Sequence, residues 1–144
     1  MLKLIQFFRP FAKYLFALWI VAIVVVSSVP SIPALKIHTP KADIRLDYLF
    51  HLLEYASLAG LAFLSFAGRE FRISAMKYLV ITLCLMVFAV ADESHQIFIP
   101  GRSFNPYDLL SNLAGVAAGL LFCVVVFRKL ELIGSQTAER FHDY

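Results

Sequence analysis

Four apolar runs leave this chain few folds to choose from. They cover about 11–29, 46–67, 73–91 and 108–127. Each comes close to the ~20 residues that a helix needs to cross a hydrocarbon core of ~30 Å. The third and fourth are barely long enough, so local thinning of the bilayer or snorkelling of flanking side chains is expected there. Composition agrees with this reading. Of 144 residues, 60% are hydrophobic and only 16% are charged, and mean hydropathy is +0.77. Soluble domains carry about a quarter charged residues and near half apolar ones. The expectation is an all-α membrane protein: one domain over 1–144, with four transmembrane helices in a bundle.

The alternative for the first run is a cleaved signal peptide. Lys3, Arg9 and Lys13 give it a basic start. Its apolar stretch is long for a signal, and residues 29–34 make a poor cleavage site. It reads as a retained helix.

Nine basic residues fall in the N-terminal segment, between runs two and three, and after run four. Only four (Lys36, Lys41, Arg45 and Arg102) lie on the other side. The positive-inside rule then places both termini in the cytoplasm and the connections 30–46 and 92–107 outside, in a bacterial cytoplasmic membrane. The net charge of +3 needs no nucleic acid, because the bases line the cytoplasmic edge. Cys84 and Cys123 fall at different depths of oppositely running helices, so they read as packing residues rather than a disulfide.

Polar residues break this pattern in two places. Asp47, His51, Glu54 and Tyr55 form one stripe at the outer end of the second run. Asp92, Glu93 and Gln96 end the third, Pro100-Gly101 turns the chain, and Arg102 and Ser103 follow. Asp108 and Asn112 open the fourth. Ionisable groups at the edge of membrane helices mark functional sites by default, so an outward-facing polar cleft walled by helices two, three and four is expected. Below the fourth stripe lies Gly115-x-x-x-Gly119, and the second run offers Ala56-x-x-x-Gly60. Small residues at that spacing let helices approach closely in lipid, within the chain or between two copies as a homodimer through Gly115 and Gly119. Asp108 sits where it could cap the fourth helix or serve the site.

The run Asp92-Glu93-x-x-Gln96, Pro100-Gly101-Arg102-Ser103 and Asp108-Leu109-Leu110-x-Asn112-x-x-Gly115, together with Asp47, His51 and Tyr55, resembles the VanZ-like family of small bacterial membrane proteins. The likeness covers about Asp47 to Gly119. Tyr48 stands where many members have Lys, so no role for a Lys is carried over. The resemblance implies a four-helix membrane fold and a link to low-level resistance to teicoplanin, a glycopeptide that binds cell-wall precursors.

Three readings of the polar cluster remain open. The first is an enzyme, with His51 or Glu93 as general acid or base. In it Arg102 would grip a phosphate or carboxylate, as on a lipid-linked cell-envelope ligand at the outer face. The second is a transporter or binding protein using the same residues: Asp47, Glu54, Tyr55, Asp92, Gln96, Arg102, Ser103, Asp108 and Asn112. The third is a structural network, with Arg102 paired to Glu93, Asp108 acting as a cap, and Asn112 and Gln96 hydrogen-bonded between helices. No metal or cofactor is expected. His51-x-x-Glu54 is one pair in the reverse of the Glu-x-x-His order found, in duplicate, in di-iron bundles.

Overall fold

The computed structural model describes residues 2–31, 36–38, 43–68, 71 and 73–142, with side chains described for 7, 9–31, 45–68, 71 and 73–130. Four helices carry the fold: α1 (Leu2–Ser27), α2 (Asp47–Phe66), α3 (Ala75–His95) and α4 (Pro106–His142). Their apolar spans are Arg9–Ser27, Asp47–Phe66, Ala75–Phe98 and Pro106–Leu130. All four are long and apolar enough to cross a membrane.

The boundaries differ from the sequence expectation at both ends. Helix α1 starts well before residue 11. Helix α4 runs on to His142, well past residue 127. A hydropathy window ends where charged residues begin, but Lys, Glu and Gln are good helix formers and carry the helix past the membrane edge. Another difference is a two-stranded antiparallel ribbon in the first connection, β1 (Lys36–His38) with β2 (Asp43–Arg45), registered Ile37 to Ile44. Both segments read polar-apolar-polar, the period of a strand.

Local sequence explains the helix ends. Ser74 lies in extended backbone, and its side chain accepts from the Lys77 N–H at 3.3 Å to start α3. Pro106 opens α4, where its missing N–H costs nothing. The Asn105 side chain accepts from the Tyr107 N–H at 3.1 Å. Asn105, and not Asp108, is therefore the capping side chain. Helix α3 tightens into a 3-10 turn, Gln96–Phe98, before Pro100-Gly101 reverses the chain. Gly101 has φ +76°, and a Cβ there would strike the Ser31 hydroxyl. Ser31 in turn donates its N–H to the Pro100 carbonyl at 3.2 Å. The first connection is thus fastened to the third at this end of the bundle.

Helices α2 and α4 form the most intimate contact. A Cβ on Gly115 would lie 2.4 Å from the Leu52 carbonyl oxygen, and one on Gly119 would lie 2.4 Å from that of Ala56. Both numbers rise by four residues together, so the two helices run parallel. The seam sits one turn further toward the start of α2 than an Ala56–Gly60 pairing predicts. Gly60 meets nothing nearer than the Cys123 Sγ, 3.8 Å away. Gly115 and Gly119 are occupied within the chain, so a second copy would have to dock elsewhere.

Helix α1 lies antiparallel to α2 and is tied at two levels. The Trp19 indole N–H donates to the Glu54 carbonyl at 3.0 Å, and Arg9 donates to the Ala67 carbonyl. Ile23 is fully buried against the bundle. Phe63, Phe127 and Phe71 stack to close the end near Arg9, with centroid separations of 5.5 and 4.4 Å. Outward faces stay apolar: Phe122 is 67% exposed and Val87 68%. Residues of this kind gain nothing from water and suit a lipid contact.

The close approach makes a prediction. Gly115→Ala should lower folded stability by ~1–3 kcal/mol, since the added methyl meets a backbone carbonyl that cannot turn aside. Gly60→Ala should fold like the parent, because its methyl meets only the Cys123 sulfur at ordinary distance. Thermal unfolding in detergent distinguishes the two, and equal loss in both would refute the α2–α4 seam.

Candidate functional site

The polar residues converge at the end of the bundle where α2 and α4 begin and α1 and α3 finish. An open cavity of about 980 Å³ lies there, lined by residues from α1, α2 and the segment 96–108. The expected residues Asp47, His51, Glu54, Gln96, Arg102, Ser103 and Asp108 all border it. Tyr55, Asp92, Glu93 and Asn112 do not. They lie beside it in the protein interior, each less than a tenth exposed.

Three of these four are hydrogen-bonded, in two separate groups. The Tyr55 hydroxyl donates to Asp92 Oδ2 at 2.9 Å, tying α2 to α3. The Asn105 N–H donates to Glu93 Oε1 at 2.8 Å, and the Gln96 amide donates to Glu93 Oε2 at 3.4 Å. Glu93 is fully buried and engaged through both oxygens. It anchors the third connection onto α3. That position suits a positioning role better than general acid–base work, since Glu93 does not itself line the cavity and both its oxygens are engaged by Gln96 and Asn105.

Arg102 does not pair with Glu93. Its Nε donates to Gln96 Oε1 at 3.0 Å, so Gln96 stands between the two charges. Among the described residues, no carboxylate lies within ion-pair distance of the Arg102 guanidinium. The other guanidinium in the cavity is neutralised. Arg45 grips Asp47 Oδ2 through Nε at 3.0 Å and Nη2 at 2.7 Å, and lies 4.6 Å from the centre of the Tyr48 ring. The Asp47 hydrogen bond raises the pKa of Arg45 above its ordinary value.

His51 and Asp108 face one another across α2 and α4. Nε2 and Oδ2 are 3.8 Å apart, too far for a hydrogen bond and close enough for an ion pair once the imidazole is protonated. His51 Nδ1, Asp47 Oδ1, Asp108 Oδ1 and both amide atoms of Asn112 are buried without a protein hydrogen-bond partner. Buried polar groups normally have partners, so five such atoms on two adjoining helix faces mark a place built for something polar. Among the described residues, no group of three or more His, Cys, Asp or Glu is arranged to hold a metal ion. His95 is exposed and takes no part.

Sequence reasoning missed several walls of the cavity. Arg45 was counted only for orientation, although it lies two residues before Asp47. Trp19 and Val26 of α1 also line the cavity, as do Phe50, Leu53 and Tyr107. Helix α3 contributes little beyond its end at Gln96, so α1 is the wall that α3 was expected to be.

A family model described as VanZ/LLP1 matches residues 2–128. The chain belongs to the VanZ/LLP1 family. The match takes in every residue lining the cavity. No curated protein and no solved structure matches the chain. The VanZ/LLP1 residues Asp92, Glu93 and Gln96 thus divide between a buried fastening and a cavity wall.

That division can be measured. Tyr55→Phe removes the donor to a buried carboxylate and should cost ~1–3 kcal/mol of stability. Adding Asp92→Asn, which lowers the charge left unpartnered, should recover part of that loss. Two additive losses in thermal unfolding would show that the pair does not act as a unit.

Proposed function

We propose that this VanZ/LLP1 protein binds the anionic group of a cell-envelope ligand at the outer face of the bacterial cytoplasmic membrane. The observation that carries this reading is the state of Arg102. A planar guanidinium lines an open cavity, is steadied through Nε by a neutral amide and, among the described residues, has no carboxylate within ion-pair distance. The two terminal nitrogens are left to meet a phosphate or carboxylate in the bidentate manner that arginine suits and lysine does not. The unpartnered carboxylate oxygens of Asp47 and Asp108 can accept from hydroxyl or amine groups of the same ligand. His51 stands beside them and can exchange a proton with whatever binds.

Orientation follows from the basic residues. With both termini in the cytoplasm, the cavity opens outward, where lipid-linked wall precursors carry their anionic groups. Binding of such a group would connect the chain to glycopeptide sensitivity, teicoplanin included. The scaffold reading is favoured for Tyr55, Asp92 and Glu93 alone, since none of the three lines the cavity and each is held by a hydrogen bond within the protein.

Two experiments test this. Arg102→Lys loses one hydrogen bond to Gln96, worth ~1 kcal/mol, and should fold near normally. In cells whose teicoplanin sensitivity depends on the parent chain, the variant should lose the phenotype. Full protection by a well-folded Arg102→Lys protein would mean that Arg102 serves as a charge alone, and the anion site would be withdrawn. Topology is read separately, in a background lacking Cys84 and Cys123. A cysteine at Ser103 should react with a membrane-impermeant thiol reagent in intact cells, and one at Ser74 should not. The reverse pattern would place the cavity in the cytoplasm.

A further inference from the structure

The cavity has one polar flank and one apolar flank. On α2 its lining runs from Asp47 through His51 and Glu54 to Ser57. Ten residues of helix rise about 15 Å, roughly half of a hydrocarbon core. Asp47, His51 and Glu54 share one face of the helix, so the charged groups keep to one flank over most of that depth. On the membrane-facing flank the lining is Trp19 and Val26 from α1 with Phe50 and Leu53 from α2. This flank is not sealed: Phe50 is 57% exposed and Leu53 52%. Helix α1 is held against α2 by the Trp19 indole bond to the Glu54 carbonyl. The apolar flank of the cavity therefore continues onto the lipid-facing surface of α2.

A soluble anion would have no use for such a flank. An amphiphile matches both flanks: a negative group on Arg102, and a chain along the apolar wall that is open to the bilayer. We propose that the cavity takes its ligand sideways from the membrane, as an anionic phospholipid or polyprenyl phosphate. The chain lies against Trp19, Val26, Phe50 and Leu53 while the phosphate meets Arg102. This rests on the anion-binding reading of Arg102 and adds the source of the anion and its path.

Trp19 is the only tryptophan of the chain, so its fluorescence reports on this flank without labelling. The full chain is reconstituted in phosphatidylcholine vesicles that contain a minority of phosphatidic acid with brominated acyl chains. The control holds the same minority of brominated phosphatidylcholine. Both chains quench tryptophan alike, so only the headgroup differs. Half-maximal quenching should need about tenfold less of the anionic lipid, as one charge-assisted contact implies. Arg102→Gln should bring the two curves together. Ser57→Phe, at the deep end, should weaken quenching by the anionic lipid and leave calorimetric binding of inorganic pyrophosphate unchanged. Leu53→Phe narrows the same groove at the level of Trp19 and replaces it if Ser57→Phe does not fold.

Equal quenching by both lipids, alongside pyrophosphate binding that depends on Arg102, would overturn the lipid path and leave the anion site standing. Loss of Arg102 dependence for lipid and pyrophosphate alike would remove both. Undiminished headgroup preference in the groove-filling variants would show that the chain does not lie there.

Discussion

The backbone contact between α2 and α4 governs the rest of the structure. In a bilayer, apolar side chains gain little by leaving lipid, so helices associate through close van der Waals packing and a few polar bonds. Gly115 and Gly119 remove the only atoms that would keep α4 off the Leu52 and Ala56 carbonyls. Once these helices are parallel and close at mid-span, their first turns stand side by side at one end. Asp47 and His51 then face Asp108 and Asn112 because they lie one and two turns up the same stripes. The site is a geometric consequence of the seam below it.

The third connection completes the end of the bundle, and it depends on a carboxylate. Glu93 is fully buried, and an unpartnered charge there would be very costly. It is satisfied by the Asn105 N–H and the Gln96 amide. The same residues fix the loop: Asn105 also caps α4, and Gln96 also holds Arg102. Glu93, Gln96, Arg102 and Asn105 thus form one hydrogen-bonded series that shapes the turn and aims a guanidinium.

Much of this arrangement was legible in the sequence, and the failures have physical causes. The helices were readable because lipid demands long apolar runs, and that demand leaves no other signal as strong. The stripe Asp47–His51–Glu54 was readable because helix period puts those residues on one face. The division of Tyr55 and Asp92 from the cavity was not readable. Which of two neighbouring polar residues turns inward depends on helix rotation, and a rotation of one residue's spacing exchanges them. Trp19 was missed for a related reason. An aromatic in an apolar span looks the same facing lipid as facing a groove, and only the packing of α1 on α2 decides. Asp108 and Asn105 were exchanged as caps because both lie within the first turn, where sequence boundaries blur.

Why should a neutral amide stand between Glu93 and Arg102? A direct ion pair would be the simplest way to hold a buried carboxylate near a membrane. It would also occupy the guanidinium and fix its charge to the protein. Gln96 can accept from Arg102 with its oxygen and donate to Glu93 with its nitrogen, so it transmits the polarity without closing the pair. The negative charge stays near enough to lower the cost of a cation at the membrane edge. The two terminal nitrogens of Arg102 stay free for another acceptor. Arg45 shows the contrast within the same cavity: seated on Asp47 through two hydrogen bonds, it is spent on the structure. Of the two guanidiniums, the one held by an amide is the one left able to bind.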